Sequence, residues 1–256
     1  MEILGIDIGG TGIKGAPVNA ETGELLAERV RILTPDPSTP EAVAECVAEI
    51  SSQFNWKGLI GCGYPGVVKH GVTMTAANVD QGWIGADAQS LINQATGCPV
   101  AMLNDADAAG IAEIKFGAGK DVKGVVTMLT IGTGIGVAMF TDGVLVPNLE
   151  FGHLLVRGKE AEKRASERVR IKKQLSWKRW SGLLNEYLTY FEALTWPDLF
   201  IVGGGVSKKF DTFAPYLTIR TPIVPAQMMN EAGIVGAAMY ALDRLGKNQS
   251  DHNFND

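Results

Sequence analysis

Apolar and polar positions near the start of the chain follow the spacing of a strand. Ile3, with Leu4 beside it, Ile6 and Ile8 suit a buried strand, and Asp7 points the other way. The run ends in Gly9, Gly10 and Gly12, so the pattern predicts a strand, a tight turn and a returning strand. Met128 to Phe140, MLTIGTGIGVAMF, repeats the arrangement about half a chain later: apolar strand, Gly-Thr-Gly turn, apolar strand again. A solenoid would repeat every ~20–50 residues, so a single repeat on this scale predicts two duplicated domains.

Between and beyond these stretches the pattern predicts further elements. A turn at Glu21-Thr22-Gly23-Glu24 leads to a strand that ends at Pro35, Pro37 and Pro40. Ser38-Thr39-Pro40-Glu41 reads as a helix start, with Val43, Cys46, Val47 and Ile50 on its apolar face. Leu59 to Val68 is a strand running into a Gly-Tyr-Pro-Gly turn, Ala86 to Ala95 a helix ended by Gly97, and Pro99 to Leu103 a strand. A small-residue helix follows over Ala106 to Phe116, then a hairpin around Asp142-Gly143 and an amphipathic helix over Ser181 to Leu194. Leu199 to Ser207 reads as a strand into a triple-glycine turn, and a C-terminal helix ends near Leu245. The polar residues 246–256 are expected to be disordered.

At 256 residues, with 46% apolar and 20% charged positions, the chain can build one large or two modest cores. A formal charge of −5 argues against a protein that coats nucleic acid as a whole. The longest apolar stretch, Gly124 to Phe140, is broken by Gly and Thr and predicts strands rather than a membrane span. Met1-Glu2 leads straight into the first strand, so no targeting segment is expected. Cys46, Cys62 and Cys98 are odd in number and widely spaced, as expected of reduced thiols in a cytoplasmic protein. Charge is uneven, however. From Arg157 to Arg179 ten cations face three glutamates, a net +7 within a negative chain. A solvated helix face, a nucleic-acid contact and a long anionic substrate all account for that.

The glycine loops carry the candidate chemistry. Backbone N–H groups of Gly9, Gly10 and Gly12 can converge on an anion, with the Thr11 hydroxyl and the Lys14 ammonium beside them; an ordinary hairpin turn is the alternative. Gly132, Thr133 and Gly134 form the second loop. Gly203, Gly204 and Gly205 allow close backbone approach to a ligand or simply a tight strand-to-helix turn. At Asn104-Asp105 an acid opens a helix, where it can cap or act as a base. Asn78 and Trp83, close to the Gly-Tyr-Pro-Gly turn, offer an amide and an aromatic face, the pair a pyranose requires; a tight turn with an aromatic cover is the alternative.

DIGGTGIKG and LTIGTGIGVA resemble the two phosphate loops of sugar kinases with the actin and Hsp70 type of ATPase fold, and more narrowly the ROK family (repressors, open reading frames, kinases). The resemblance runs from Ile3 to Leu245. It implies an α/β, two-lobed, duplicated ribonuclease H-like fold, with residues 1–103 and a C-terminal helix 232–245 in the first lobe and 104–231 in the second. It implies Asp105 as catalytic base, and Asn78, Asn104, Glu150, His153 and Glu162 as sugar ligands. The donor phosphates fall to the glycine loops, including Gly203 to Gly205, with Asp7 near Mg²⁺ and Lys14 neutralising charge. Many ROK kinases carry a cysteine-rich zinc motif after a Gly-His pair, but no cysteine follows Gly152-His153, so no zinc site is expected and His153 needs another orienting partner. Ala161-Glu162-Lys163-Arg164-Ala165-Ser166, Ser176-Trp177, Arg220 to Ala226 and Asn230 to Ala238 resemble the polyphosphate glucokinase subgroup. That subgroup implies glucose as acceptor, inorganic polyphosphate and ATP as donors, Lys172, Lys173, Lys178 and Arg179 as polyphosphate contacts, and a homodimer without nucleic-acid or membrane partners. An ATP-only hexose kinase and a catalytically dead sugar binder are the competitors. A ROK regulator needs a helix-turn-helix ahead of the first loop, where only two residues stand.

Overall fold

The structure, a computed structural model, describes residues 1–77 and 79–250, with 247–250 described by backbone alone. In chain order the elements are β1 (Glu2–Gly9), β2 (Gly12–Asn19), β3 (Val30–Ile32), α1 (Pro40–Gln53), β4 (Ile60–Tyr64), β5 (Val68–Lys69), β6 (Val72–Thr73), α2 (Ala88–Thr96), β7 (Val100–Asn104) and α3 (Asp105–Phe116). They continue as β8 (Val125–Ile131), β9 (Ile135–Thr141), β10 (Val144–Val146), β11 (Leu155–Val156), β12 (Lys159–Glu160), α4 (Glu162–Ala165), α5 (Glu167–Lys172), α6 (Trp177–Thr195), β13 (Leu199–Gly203), α7 (Phe210–Phe213), β14 (Ile223–Pro225) and α8 (Ala232–Ser250).

The contacts divide the chain into two compact units, 1–112 with 231–256, and 113–230. Each holds a five-stranded sheet, in the orders β3-β2-β1-β4-β7 and β10-β9-β8-β13-β14. Both sheets place two antiparallel pairings on one side of the first strand and two parallel pairings on the other. The sequence repeat is therefore a repeat of topology.

In unit 1, α1 starts where Thr39 accepts a hydrogen bond from the Ala42 N–H at 3.3 Å, with Pro40 in its first turn. Val43, Val47 and Ile50 pack it onto Leu4, Ile6 and Ile8. The opposite sheet face is covered by α8, and glycine permits the close approach. A Cβ on Gly5 would stand 2.0 Å from Ile234 O, and one on Gly61 1.8 Å from Ala237 O. This explains why Ile3 is as buried as Ile6: β1 is covered on both faces, not on one.

The break between units falls inside α3 rather than ahead of it. Its early turns are held by α8, since a Cβ on Gly236 would stand 1.6 Å from Ala108 O. The buried Glu113, farther along, accepts from the Ala118 and Met228 N–H groups at 2.8 and 2.7 Å, both in unit 2. Helix α8 extends to Ser250, past the predicted end near Leu245, because Gly246 weakens a helix by only about 1 kcal/mol and no proline follows. Residues 251–256 of the expected disordered tail lie outside the described residues.

The core of unit 2 is aromatic. Trp180, Tyr187, Phe191, Phe200 and Phe213 are buried together under α6, which starts at Trp177, earlier than the predicted Ser181, because Ser176 caps it. The segment from Arg157 to Arg179 is ordered by that core as a hairpin, two short helices and the first turn of α6. Among the described residues no helix is long and apolar enough to cross a membrane.

Candidate active site

In unit 1 the phosphate-loop candidates lie together at the end of the β1–β2 hairpin. Gly9 pairs with Gly12, and Gly10 with Thr11 forms the exposed tip. Asp7 is in register with Lys14, whose Nζ lies 3.1 Å from Asp7 Oδ2. Thr34 Oγ1 donates to Gly9 O, and Arg31 Nη2 donates to Thr11 O at 3.2 Å. A Cβ on Gly12 would stand 2.6 Å from Arg31 Nε. Nothing in the sequence points to Arg31 and Thr34, since a strand cation and a threonine before a proline-rich segment carry no local signal of their target.

Asp7 is paired with Gly63 of β4, and Gly63 with Leu103 of β7. Asp7, Asn104 and Asp105 thus stand near the carboxyl ends of three parallel strands, the edge at which open α/β sheets bind ligands. The capping role belongs to Asn104: its Oδ1 accepts from the Ala106 and Asp107 N–H groups at 2.8 and 3.1 Å, and its Nδ2 donates to Gly66 O at 3.1 Å. Asn104 is 8% exposed, and these bonds fix the first turn of α3 that carries Asp105. Asp105 is half-buried, with Oδ1 2.8 Å from the Ala106 N–H.

The expected aromatic platform is corrected. Trp83 is 0% exposed, its indole N–H donates to Ser38 O at 2.8 Å, and its ring packs 4.7 Å from that of Tyr64. Burial of both rings in the core leaves neither as a sugar-stacking face. Asn78, predicted beside them, lies outside the described residues.

In unit 2 the second loop, Gly132-Thr133-Gly134, closes on itself through the Gly132 N–H, which donates to Gly134 O at 3.1 Å. It is tied to α5 by the Arg168 N–H, which donates to Gly132 O at 3.1 Å. Around it lies a pocket of about 430 Å³ lined by Gly132, Thr133, Glu167, Arg168, Ile171, Lys172 and Gly205. Gly204, at φ 77°, turns the chain after β13, where a Cβ would stand 2.5 Å from Ile131 O. A Cβ on Gly203 would clash only with Met128 Cε, the end of a flexible side chain, at 2.6 Å, so of the three glycines Gly204 is the one the fold requires.

Of the four predicted polyphosphate contacts, Lys172 lines this pocket, whereas Lys173, Lys178 and Arg179 are exposed and do not. Arg168, in sequence only one member of the basic run, lines it too. Other cations of the run are engaged elsewhere. Arg157 and Arg164 pair with Glu186, Lys163 with Glu160 at 2.8 Å, and Arg170 lies 3.9 Å over the Trp177 ring.

Glu150, His153 and Glu162 are also brought together. His153 Nδ1 lies 3.2 Å from Glu160 Oε2, and Nε2 lies 3.7 Å from Glu150 Oε2. Donor atoms of His153, Glu160 and Glu162 fall within 4.8 Å of one another. Gly134 makes room for Glu162, whose Oε2 would stand 2.6 Å from a Cβ there. Burial raises the Glu150 carboxyl above the usual range; His153 opposes that shift and Glu162 adds to it. Glu160 is held below the usual range by hydrogen bonds from Lys163 and His153.

Two glycine loops on duplicated sheets, with an acid opening the helix after a parallel strand, are what the resemblance predicted. The sequence profile of the ROK family matches residues 3–166. The chain belongs to the ROK family. Within it, the chain is 53% identical over 237 residues to a polyphosphate glucokinase of Mycobacterium tuberculosis (strain CDC 1551 / Oshkosh), covering 92% of this chain and 89% of that one. The crystal structure of an inorganic polyphosphate/ATP-glucomannokinase from Arthrobacter sp. strain KM matches with a TM-score of 0.90 and 49% identity, over 95% of this chain and 99% of that one. A ROK glucokinase from Streptomyces griseus, in complex with glucose and AMPPNP, shares the fold at a TM-score of 0.82 and 24% identity, over 95% and 100% of the two chains. The sugar kinase fold expected from the sequence is thus the fold observed.

Proposed function

We propose that this chain transfers the terminal phosphoryl group of inorganic polyphosphate, and of ATP, to the 6-hydroxyl of glucose. The observation that carries the choice of donor is the pocket in unit 2, which puts two cations, Arg168 and Lys172, beside the backbone of Gly132 and Thr133. A chain of phosphates presents charge after charge, and a surface that neutralises several at once gains from counterion release, as proteins do on nucleic-acid backbones. The names of the two similar kinases from Mycobacterium and Arthrobacter support the same choice.

Phosphoryl transfer asks a protein mainly for positioning and charge neutralisation. The glucose O6 forms the new O–P bond, the bridging P–O bond of the donor breaks, and the donor leaves one phosphate shorter. Asp105 takes the O6 proton, general-base work worth about 10² to 10⁴-fold. Asn104 anchors the turn beneath Asp105 and keeps an amide hydrogen for the sugar. Glu150, His153 and Glu162 bind sugar hydroxyls, as does Asn78. The loops at Gly9 to Gly12 and at Gly132 to Gly134 receive the phosphates on backbone N–H groups, with Gly205 flanking the second. Asp7 fits a Mg²⁺ ion or its waters: Lys14 occupies Oδ2, while Oδ1 faces Gly233, where a Cβ would stand 3.3 Å away and fill the space. When bound, the ion neutralises donor phosphate charge.

The test is glucose and mannose phosphorylation with long-chain polyphosphate and with ATP, across a range of salt. Arg168→Ala and Lys172→Ala are expected to raise KM for polyphosphate several-fold and to lower the slope of log affinity against log salt by about 0.7 for each phosphate no longer neutralised. KM for ATP should change less, and Lys178→Ala with Arg179→Ala, outside the pocket, should change neither. Absence of glucose 6-phosphate with polyphosphate overturns the choice of donor. Equal effects on both donors remove the pocket as its basis.

A further inference from the structure

Strand β11 turns into β12 through Arg157 and Gly158, both at positive φ (51° and 75°), the backbone a two-residue primed turn requires. Leu155 is paired with Glu160, and the Ala161 N–H donates to Leu154 O at 2.9 Å, so the hairpin folds Glu160 back toward His153, two residues ahead of β11. Glu160 Oε2 there meets His153 Nδ1 at 3.2 Å and Lys163 Nζ at 2.8 Å. The other imidazole nitrogen, Nε2, is 3.7 Å from Glu150 Oε2, beyond a direct hydrogen bond, and the His153 side chain is 52% exposed.

We propose that Glu160 is a positioning residue that holds the His153 proton on Nδ1, so that Nε2 is presented to the sugar as a hydrogen-bond acceptor. This rests on the assignment of His153 to hexose binding. An imidazole ring in water turns freely and favours the Nε2–H form; a carboxylate fixed against Nδ1 selects the other tautomer and stops the rotation. Lys163, three residues on from Glu160, keeps that carboxylate in place. An Nε2 lone pair and the Glu150 carboxylate, 3.7 Å apart, are two acceptors with room to take hydroxyl hydrogens from one sugar edge. Glu162 completes the acid lining. The site thus accepts rather than donates at this edge, and it prefers a hydroxyl to a carbonyl or an ether oxygen.

Nitrogen-15 NMR reads the tautomer directly, and the chain has only three histidines, His70, His153 and His252, so His153→Gln assigns the signal by difference. In its neutral form, the wild-type His153 is expected to carry its proton on Nδ1. Glu160→Ala should lose that preference and raise KM for glucose about ten-fold, with a smaller effect on kcat. Glu160→Gln, whose amide oxygen still accepts from Nδ1–H, should keep the tautomer and a KM within a few-fold of wild type. A neutral His153 that carries its proton on Nε2 overturns the assignment. So does a Glu160→Ala protein with the altered tautomer and an unchanged KM. If the wild type phosphorylates no hexose, the proposed function fails, whereas the NMR comparison still decides whether Glu160 sets the tautomer.

Discussion

Gly132→Ala separates a glycine kept for a ligand from glycines kept for the fold. An ideal Cβ at Gly132 meets nothing within 4 Å, and the residue is outside the left-handed region, so alanine is compatible with the backbone there. Such a change stabilises a protein by about 0.4–1 kcal/mol through the unfolded chain, which for a protein of this size raises Tm by roughly 1–4 °C. The same methyl group would enter the pocket between Thr133, Arg168 and Gly205 and hold an incoming phosphate off the loop. Loss of one backbone donor to a developing anion costs about 10²–10³ in rate, so kcat/KM for the phosphoryl donor should fall about 10²-fold. Glucose binding, measured without donor, should not move. Calorimetry and steady-state kinetics on the same preparation provide both halves. A Tm lowered by several degrees would mean that the loop is a structural turn; unchanged turnover would mean that no phosphate approaches Gly132.

Gly61→Ala is the structural counterpart. Its Cβ would stand 1.8 Å from Ala237 O, about 1.6 Å inside an ordinary contact, so α8 must retreat, at a cost of about 3 kcal/mol and a Tm lower by roughly 6–12 °C; thermal melts check this. Asp105→Asn keeps the shape and loses the base, so turnover should fall to below about a hundredth while glucose affinity stays within a few-fold, read by initial rates and calorimetric titration. Glu150→Gln tests the raised carboxyl. A folded pKa above the unfolded one favours the protonated form, so wild-type stability is lost as pH rises through the folded value. The amide should therefore melt higher than wild type at neutral pH and converge with it below the usual glutamate range, while its KM for glucose rises.

The duplicated architecture was legible because its signals are local. Strand alternation around Ile6 and Ile8, the glycines at 9, 10 and 12, and their echo at 132 and 134 lie within a few residues of one another, so strand, turn and return strand follow from neighbours alone. Capping was less transparent. Asn104 and Asp105 are adjacent, either can cap, and only the path of β7 into α3 decided that Asn104 does so while Asp105 stays with its carboxylate beside the strand ends. Trp83 illustrates the opposite failure. Beside an amide an indole resembles a sugar platform, but its hydrogen bond to Ser38 and its packing against Tyr64 depend on segments distant in the chain.

The long-range partners of charged groups were beyond any local pattern. A run of ten cations has one appearance in sequence, yet folding assigns Arg157 and Arg164 to Glu186, Arg170 to Trp177, and leaves Arg168 and Lys172 at the glycine loop. Arg31 reaches the first loop across β2 and β3, and Glu160 reaches His153 across a hairpin. The sequence by itself determined the strands, the glycine turns and the family, because backbone preference and periodicity act over a few residues. Which acid orients the histidine and which cations face the phosphate loop were decided only by tertiary structure, because a charge selects its partner by distance in space, and that distance exists only once the sheets have formed.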